Sequence, residues 1–152
     1  MTLFELASRF VGEVHEIPGA ESHSPFIQWC HESCSMSPDT PDEVPWCSSF
    51  INRLCWILRL PRSGSASARS WLSVGTPVEL SDARPGDIVV MRRGVGPQPG
   101  PGILHAPGHV GIYAGQATAG SFIRVLGGNQ SDGVNIQSFN TETVLGVRRL
   151  TA

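Results

Sequence analysis

Cys47 and His109 are the residues of this chain whose types and settings could together open an amide or ester bond. A thiol attacks a carbonyl carbon only as thiolate, and an ordinary cysteine holds little thiolate at neutral pH. Two devices correct that: the positive end of a helix and a neighbouring imidazole. Cys47 stands two residues after Pro45, at the head of PWCSSFINRLCWILRL, where Phe50, Leu54, Ile57 and Leu58 form an apolar stripe at helical spacing. Proline is favoured in a first helical turn, so the pattern places Cys47 in that turn as well. Amides there could also donate to an oxyanion on the attacked carbonyl. Cys55 lies in the interior of the same helix beside Trp56 and has neither device.

His109 follows Pro107-Gly108 and precedes Val110-Gly111-Ile112-Tyr113, at the start of an expected strand where glycines permit close approach. Such a base needs a third group to fix its tautomer. Asn129, in Gly127-Gly128-Asn129-Gln130 at the end of a strand, is the candidate. Several neighbours are candidate substrate contacts. Asp42 and Glu43 precede the helix and could bind an amine or cation of a substrate, or simply favour the helix terminus. Trp46 could line a cleft or pack the core, and Ser48 adjoins the thiol. His105 falls in a Gly- and Pro-rich stretch where substrate contact is plausible. His15, His23 and His31 read as residues in or near surface helices. Asp87 closes a turn before a strand, and Trp71 reads as core with Arg69 exposed.

The elements that must hold these residues fall into two halves. Leu3, Leu6, Phe10 and Val14 recur at helical spacing after Thr2, a natural cap. A second helix is expected over Pro25 to Ser33 behind Ser24, the nucleophile helix follows from Pro45, and a short one spans Ser67 to Leu72. Beyond Gly75 the apolar runs become short, β-branched and punctuated by Gly and Pro. Strands are expected near Ile88–Met91, His109–Tyr113, Phe122–Leu126, Val134–Ser138 and Val144–Arg149. The stretch from Arg92 to Gly108 reads as a long loop. The fold class is therefore α+β, with N-terminal helices packed on a C-terminal antiparallel sheet of about five strands. One domain over 1–152 fits the length.

Composition narrows the function. A net charge of −2, with 40% hydrophobic and 16% charged residues, describes a globular chain without the basic excess of a nucleic-acid binder. Glu5 and Glu13 interrupt the apolar pattern at the start, so no signal peptide is expected, and no run approaches the ~20 apolar residues of a membrane span. Synthesis in the cytoplasm is the expectation, as is a monomer. The cysteines Cys30, Cys34 and Cys55 read as buried thiols. His23, Cys30, His31 and Cys34 do not have the paired spacing of a zinc site, so no metal or other cofactor is expected.

Taken in order, PDEVPWCSSFIN, RPGDIVVMRR, GHVGIY and VLGGNQSDGVNI resemble the NlpC and CHAP superfamily of cysteine peptidoglycan hydrolases, in particular its small, single-domain, phage-associated branch. The resemblance runs from about Glu13 to Arg149. It implies a papain-like fold with Cys47 as nucleophile, His109 as base and Asn129 as the orienting residue. It also implies peptidoglycan as substrate, cut at a stem-peptide bond or at the N-acetylmuramoyl–alanine bond. Many CHAP domains carry Glu two positions before the Asn, where this chain has Gly127, so Asn129 stands alone in the third role. A protein made without a leader would reach the wall through a holin, on a virion or by a secretion machine. The alternatives are a thiol-dependent deamidase or transferase acting on a protein, such as a secreted effector, and a binding domain without catalysis.

Overall fold

The computed structural model describes residues 1–19, 21–93, 100–102, 106–117 and 120–151. Helix α1 spans Leu3–Ser8, α2 spans Pro25–Glu32 and α3 spans Cys47–Leu58, followed by a 3₁₀ segment over Ala68–Ser73. The strands are β1 Thr76–Val78, β2 Ile88–Arg92, β3 Gly108–Gln116, β4 Phe122–Gln130, β5 Gly133–Asn140 and β6 Val144–Arg149. Among the described residues they form one sheet of six strands in the order β1-β6-β2-β3-β4-β5, every pairing antiparallel. The chain is thus a mixture of helices and antiparallel sheet, with six strands where five were expected. The additional strand is Thr-Pro-Val, short and pairing on one side only, against β6. Its Pro77 argues against a strand in isolation and is tolerated because the strand lies at an edge. No helix among the described residues is long and apolar enough to cross a membrane.

Local chemistry explains the helix boundaries. Thr2 and Glu5 form a reciprocal capping box at α1. Ser24 caps α2, whose first residue is Pro25. Helix α1 ends at Ser8, earlier than the periodicity suggests, because the Gly12 and Glu16 amides bond to the Val134 and Asp132 carbonyls instead. Val14 is still buried, from a non-helical segment. Helix α3 ends where Arg59 turns left-handed (φ 59°), with the Leu60 amide bonded back to the Cys55 carbonyl at 2.9 Å.

Helix α3 is the axis of the core. Phe50, Ile51 and Leu54 are wholly buried and pack with Ile88, Val90, Val110, Ile112 and Leu126 from the sheet. Each such side chain contributes about 1.5–3 kcal/mol of apolar burial. The other face of the sheet holds a smaller cluster of Val89, Met91, Tyr113, Ile123 and Val125. Sheet residues on both faces are therefore shielded, which explains the unbroken apolar run Ile88–Met91.

Candidate active site

The N-terminus of α3 is fixed by polar ties that the sequence alone does not reveal. Ser48 donates to the Ser65 carbonyl at 2.6 Å and accepts from Trp71 Nε1 at 2.9 Å, while the Asn52 amide donates to the Ser48 carbonyl at 3.0 Å. Ser48 is fully buried, so it is a structural residue of this network and not a substrate contact. Trp46 is also fully buried, its Nε1 donating to Glu16 at 3.1 Å and its ring edge-on to Phe50. It packs the core. A Cβ on Gly128 would fall 2.5 Å from the Trp46 ring, so the missing side chain there lets β4 close over the helix end.

Cys47 is the first residue of α3, and its N-cap, Trp46, makes no side-chain capping bond. The first-turn amides are thus left to whatever negative charge develops at the thiol or beside it. All four cysteines are free thiols and buried. Burial opposes ionisation of Cys47, but a hydrogen bond and charge from His109, a bond from the Val110 amide and the charge of Arg93 bring its pKa below the ordinary thiol value. Burial likewise disfavours the His109 imidazolium. Its bond and charge interaction with Cys47, and its bond to Gln130, nevertheless raise its pKa above the ordinary imidazole value. The two groups stabilise each other as thiolate and imidazolium.

The third member differs from the expectation. His109 Nε2 lies 3.0 Å from Gln130 Oε1, and Asn129 does not hold the ring. The Gln130 amide is oriented without ambiguity by its surroundings. Its Nε2 donates to the Asn135 carbonyl and Oδ1, each at 3.0 Å, and to the Val125 carbonyl at 3.3 Å, while Asn135 Nδ2 donates to the Gln130 carbonyl at 2.7 Å. Only Oε1 is left to face the imidazole, and it can only accept. The Nε2 proton of His109 therefore points to Gln130, and Nδ1 remains for the Cys47 proton. The ring also stacks on Phe139, centroids 5.5 Å apart.

The one-residue offset has a backbone cause. Pairing of β4 with β5 slips between Gly127 and Gln130, and Asn129 adopts a left-handed φ of 57°. This bulge turns Gln130 inward and leaves Asn129 on the wall of the adjoining cavity. A Cβ at Gly127 would sit 2.5 Å from Gln130 Oε1. Glycine at position 127 thus makes room for the glutamine amide.

Other expectations also change. Asp42 is almost completely buried and accepts from the Ile17 and Ser24 amides, each at 2.8 Å, and from His23 at 3.2 Å. It staples the segment ahead of α2 to the loop ahead of α3, so its oxygens are committed to the fold and not to a substrate amine. Glu43 is exposed. His105 lies outside the described residues. His31 is fully buried and bonds Ser49 Oγ at 2.9 Å, unlike the surface residue expected. Arg69, expected to be exposed, is fully buried, its Nε donating to the Pro107 carbonyl at 2.9 Å and Nη1 to the Gly100 carbonyl at 2.7 Å. Asp87 accepts from the Arg84 amide at 2.8 Å, closing its turn, and forms a two-point ion pair with Arg149 at 2.9 and 2.7 Å. Among the described residues, no group of three or more His, Cys, Asp or Glu side chains could hold a metal ion.

Two hollows of about 320 Å³ lie near the pair, the first lined in part by His109 and neither by Cys47. One is lined by Arg92, Arg93, His109, Asn129, Gln130 and Phe139, among others. The other is lined by Pro45, Ser67, Ala68, Arg93, Pro107 and Gly108, among others. Larger hollows of about 540 and 650 Å³, at the end of α3 and beside β1, include neither Cys47 nor His109. Gln130, Asn135 and Arg93 are the site residues that motif reading missed. The available signal was Gly-Gly-Asn, a run able to adopt a bulge, after which strand alternation no longer says which neighbour faces inward.

No protein-family model matches this chain, and no curated protein matches it either.

Proposed function

We propose that this chain is a cysteine-dependent amide hydrolase of the NlpC/CHAP type, papain-like in its arrangement, acting on peptidoglycan. The observation that carries the reading is the pairing of Cys47, at an uncapped helix terminus, with a His109 whose tautomer is set by Gln130. In the reaction the Cys47 thiolate forms a bond to the amide carbon, and the carbonyl π pair moves to oxygen. First-turn amides of α3 donate to that oxyanion. His109 gives its proton to the leaving amine as the C–N bond breaks. Neutral His109 then takes a proton from water, whose oxygen attacks the thioester and regenerates the thiol pair. Gln130 keeps Nδ1 directed at sulfur through both halves.

The substrate half of the reading rests on the order and content of PWCSSF, GDIVV, GHVGIY and GGNQ, which resemble that superfamily. It also suits delivery to the wall by a phage or a secretion machine. The test is incubation of purified protein with peptidoglycan sacculi, followed by mass spectrometry of the soluble muropeptides. New amino termini, absent with Cys47→Ala, are the expected result, and the fragment masses identify the bond. Equal release by Cys47→Ala sinks the thiol mechanism. No release by the native protein sinks the substrate.

A further inference from the structure

We propose that the hollow beside His109 is a carboxylate subsite, in which Arg93, with Arg92 adjoining, holds an anionic group of the substrate next to the bond that Cys47 attacks. This inference rests on the thiol mechanism above and adds to it the charge of the substrate. The chain as a whole is slightly acidic, with 13 Asp and Glu against 11 Lys and Arg, so two consecutive arginines at one hollow do not reflect a generally basic surface. No acidic side chain is among the described residues that line either hollow.

Position supports the same conclusion. Arg92 is the last residue of β2 and lies in register with Gly108, the residue before the base. Arg93 follows as the chain leaves the sheet, exposed, and it lines both hollows, so it stands at their common edge. Its charge acts on Cys47 and on His109 alike. Apart from the two arginines and His109, the first hollow is neutral and suited to a peptide: Asn129, the Gln137–Ser131 pair (2.8 Å) and the Phe139 ring. A guanidinium among neutral amides matches a carboxylate by charge and by two-point geometry. A substrate bearing a free carboxylate near the scissile amide fits this site, and one amidated at that position loses the contact.

Two alkylating reagents that differ only in charge test this without any assumption about the wall. In each case the thiolate forms an S–C bond as iodide leaves, with iodoacetate delivering a carboxylate and iodoacetamide its neutral amide. Labelling of Cys47 is followed by peptide mass spectrometry at neutral pH, in the native protein, Arg93→Gln, Arg93→Lys and the denatured chain. The expected result is an iodoacetate-to-iodoacetamide rate ratio about tenfold higher in the native protein than in Arg93→Gln, partly kept by Arg93→Lys and suppressed by high salt. The same ratio in native protein and Arg93→Gln overturns the subsite, because His109 alone then accounts for any preference. If iodoacetamide labels native Cys47 no faster than the denatured chain, the activated thiol itself is refuted and the subsite falls with it. The neutral reagent therefore reports on the mechanism and the ratio reports on the subsite.

Discussion

Helix α3 meets a buried histidine on each of two sides, and the two encounters have opposite outcomes. Toward α2, His31 bonds Ser49 while Cys30 and Cys34 lie close by in the same packed region. Burial dominates there. It lowers the His31 pKa and raises those of both thiols, leaving every group neutral. Toward β3, Cys47 and His109 are buried as well, yet both shift toward their charged forms. Cys55, on the same helix as Cys47, is pushed up to about 12 by burial. A buried thiol and a buried imidazole are thus inert separately and reactive as a pair, provided each supplies the charge that the other needs. His31 has hydrogen bonds too, with Ser49 and the Val44 backbone, but they do not outweigh its burial, whereas Cys47 and Gln130 do so at His109.

The comparison is broken most severely by removing either member of the pair. Cys47→Ala should reduce amide hydrolysis at least 10³-fold, and His109→Ala comparably, when release of amino groups is assayed. Cys34→Ala and Cys30→Ala should retain activity, and loss of hydrolysis in either would show that the α2 side takes part. Gln130→Ala should come next, with about a 10–100-fold fall in kcat and little change in KM, because the imidazole remains but its tautomer is no longer held. Asn129→Ala should cost only a few-fold, and a larger loss than for Gln130→Ala would reverse the assignment made from the bulge.

The pH dependence sharpens the contrast. The Cys47 pKa is lowered from the ordinary thiol value and that of His109 is raised from the ordinary imidazole value, so each group favours the charged form of the other. The active pair holds one proton between its two members, so hydrolysis should fall at acid pH where both are protonated and at alkaline pH where neither is, giving a bell-shaped kcat/KM profile. In His109→Ala, burial is the leading influence left on Cys47, so the onset of iodoacetamide labelling should move to higher pH. An unchanged onset would mean that the helix terminus alone activates the thiol. The smallest effect belongs to Cys55→Ala, with unaltered kcat and a loss of about 1–2 kcal/mol in chemical denaturation.

Local signals in the chain foretold the parts of the fold that are local. Thr2, Ser24 with Pro25, and Pro45 ahead of Cys47 locate three helix starts within a residue or two, because caps and first-turn prolines act on their neighbours. Five of the strands follow from apolar runs between glycines and prolines. What escaped depends on partners remote in sequence. Arg69 has a charged side chain and an exposed-looking context, yet it is buried because the Gly100 and Pro107 carbonyls converge on it. Asp42 becomes structural only once Ile17 and Ser24 are brought to it, and Ser48 only once Trp71 is. The site divided the same way. Cys47 was legible from its helix and His109 from its strand, whereas the choice between Asn129 and Gln130 turned on a bulge that shifts pairing by one residue.

The burial of Arg69 bears on how the base is held in place. One guanidinium grips the carbonyls of Gly100 and Pro107, so the chain re-enters the sheet at a point pinned just ahead of His109. The start of β3 is thereby tied to the 3₁₀ segment through Arg69 as well as to β2 through the sheet. Loss of that one side chain, as in Arg69→Ala, is therefore expected to loosen the entry to β3 and with it the placement of His109.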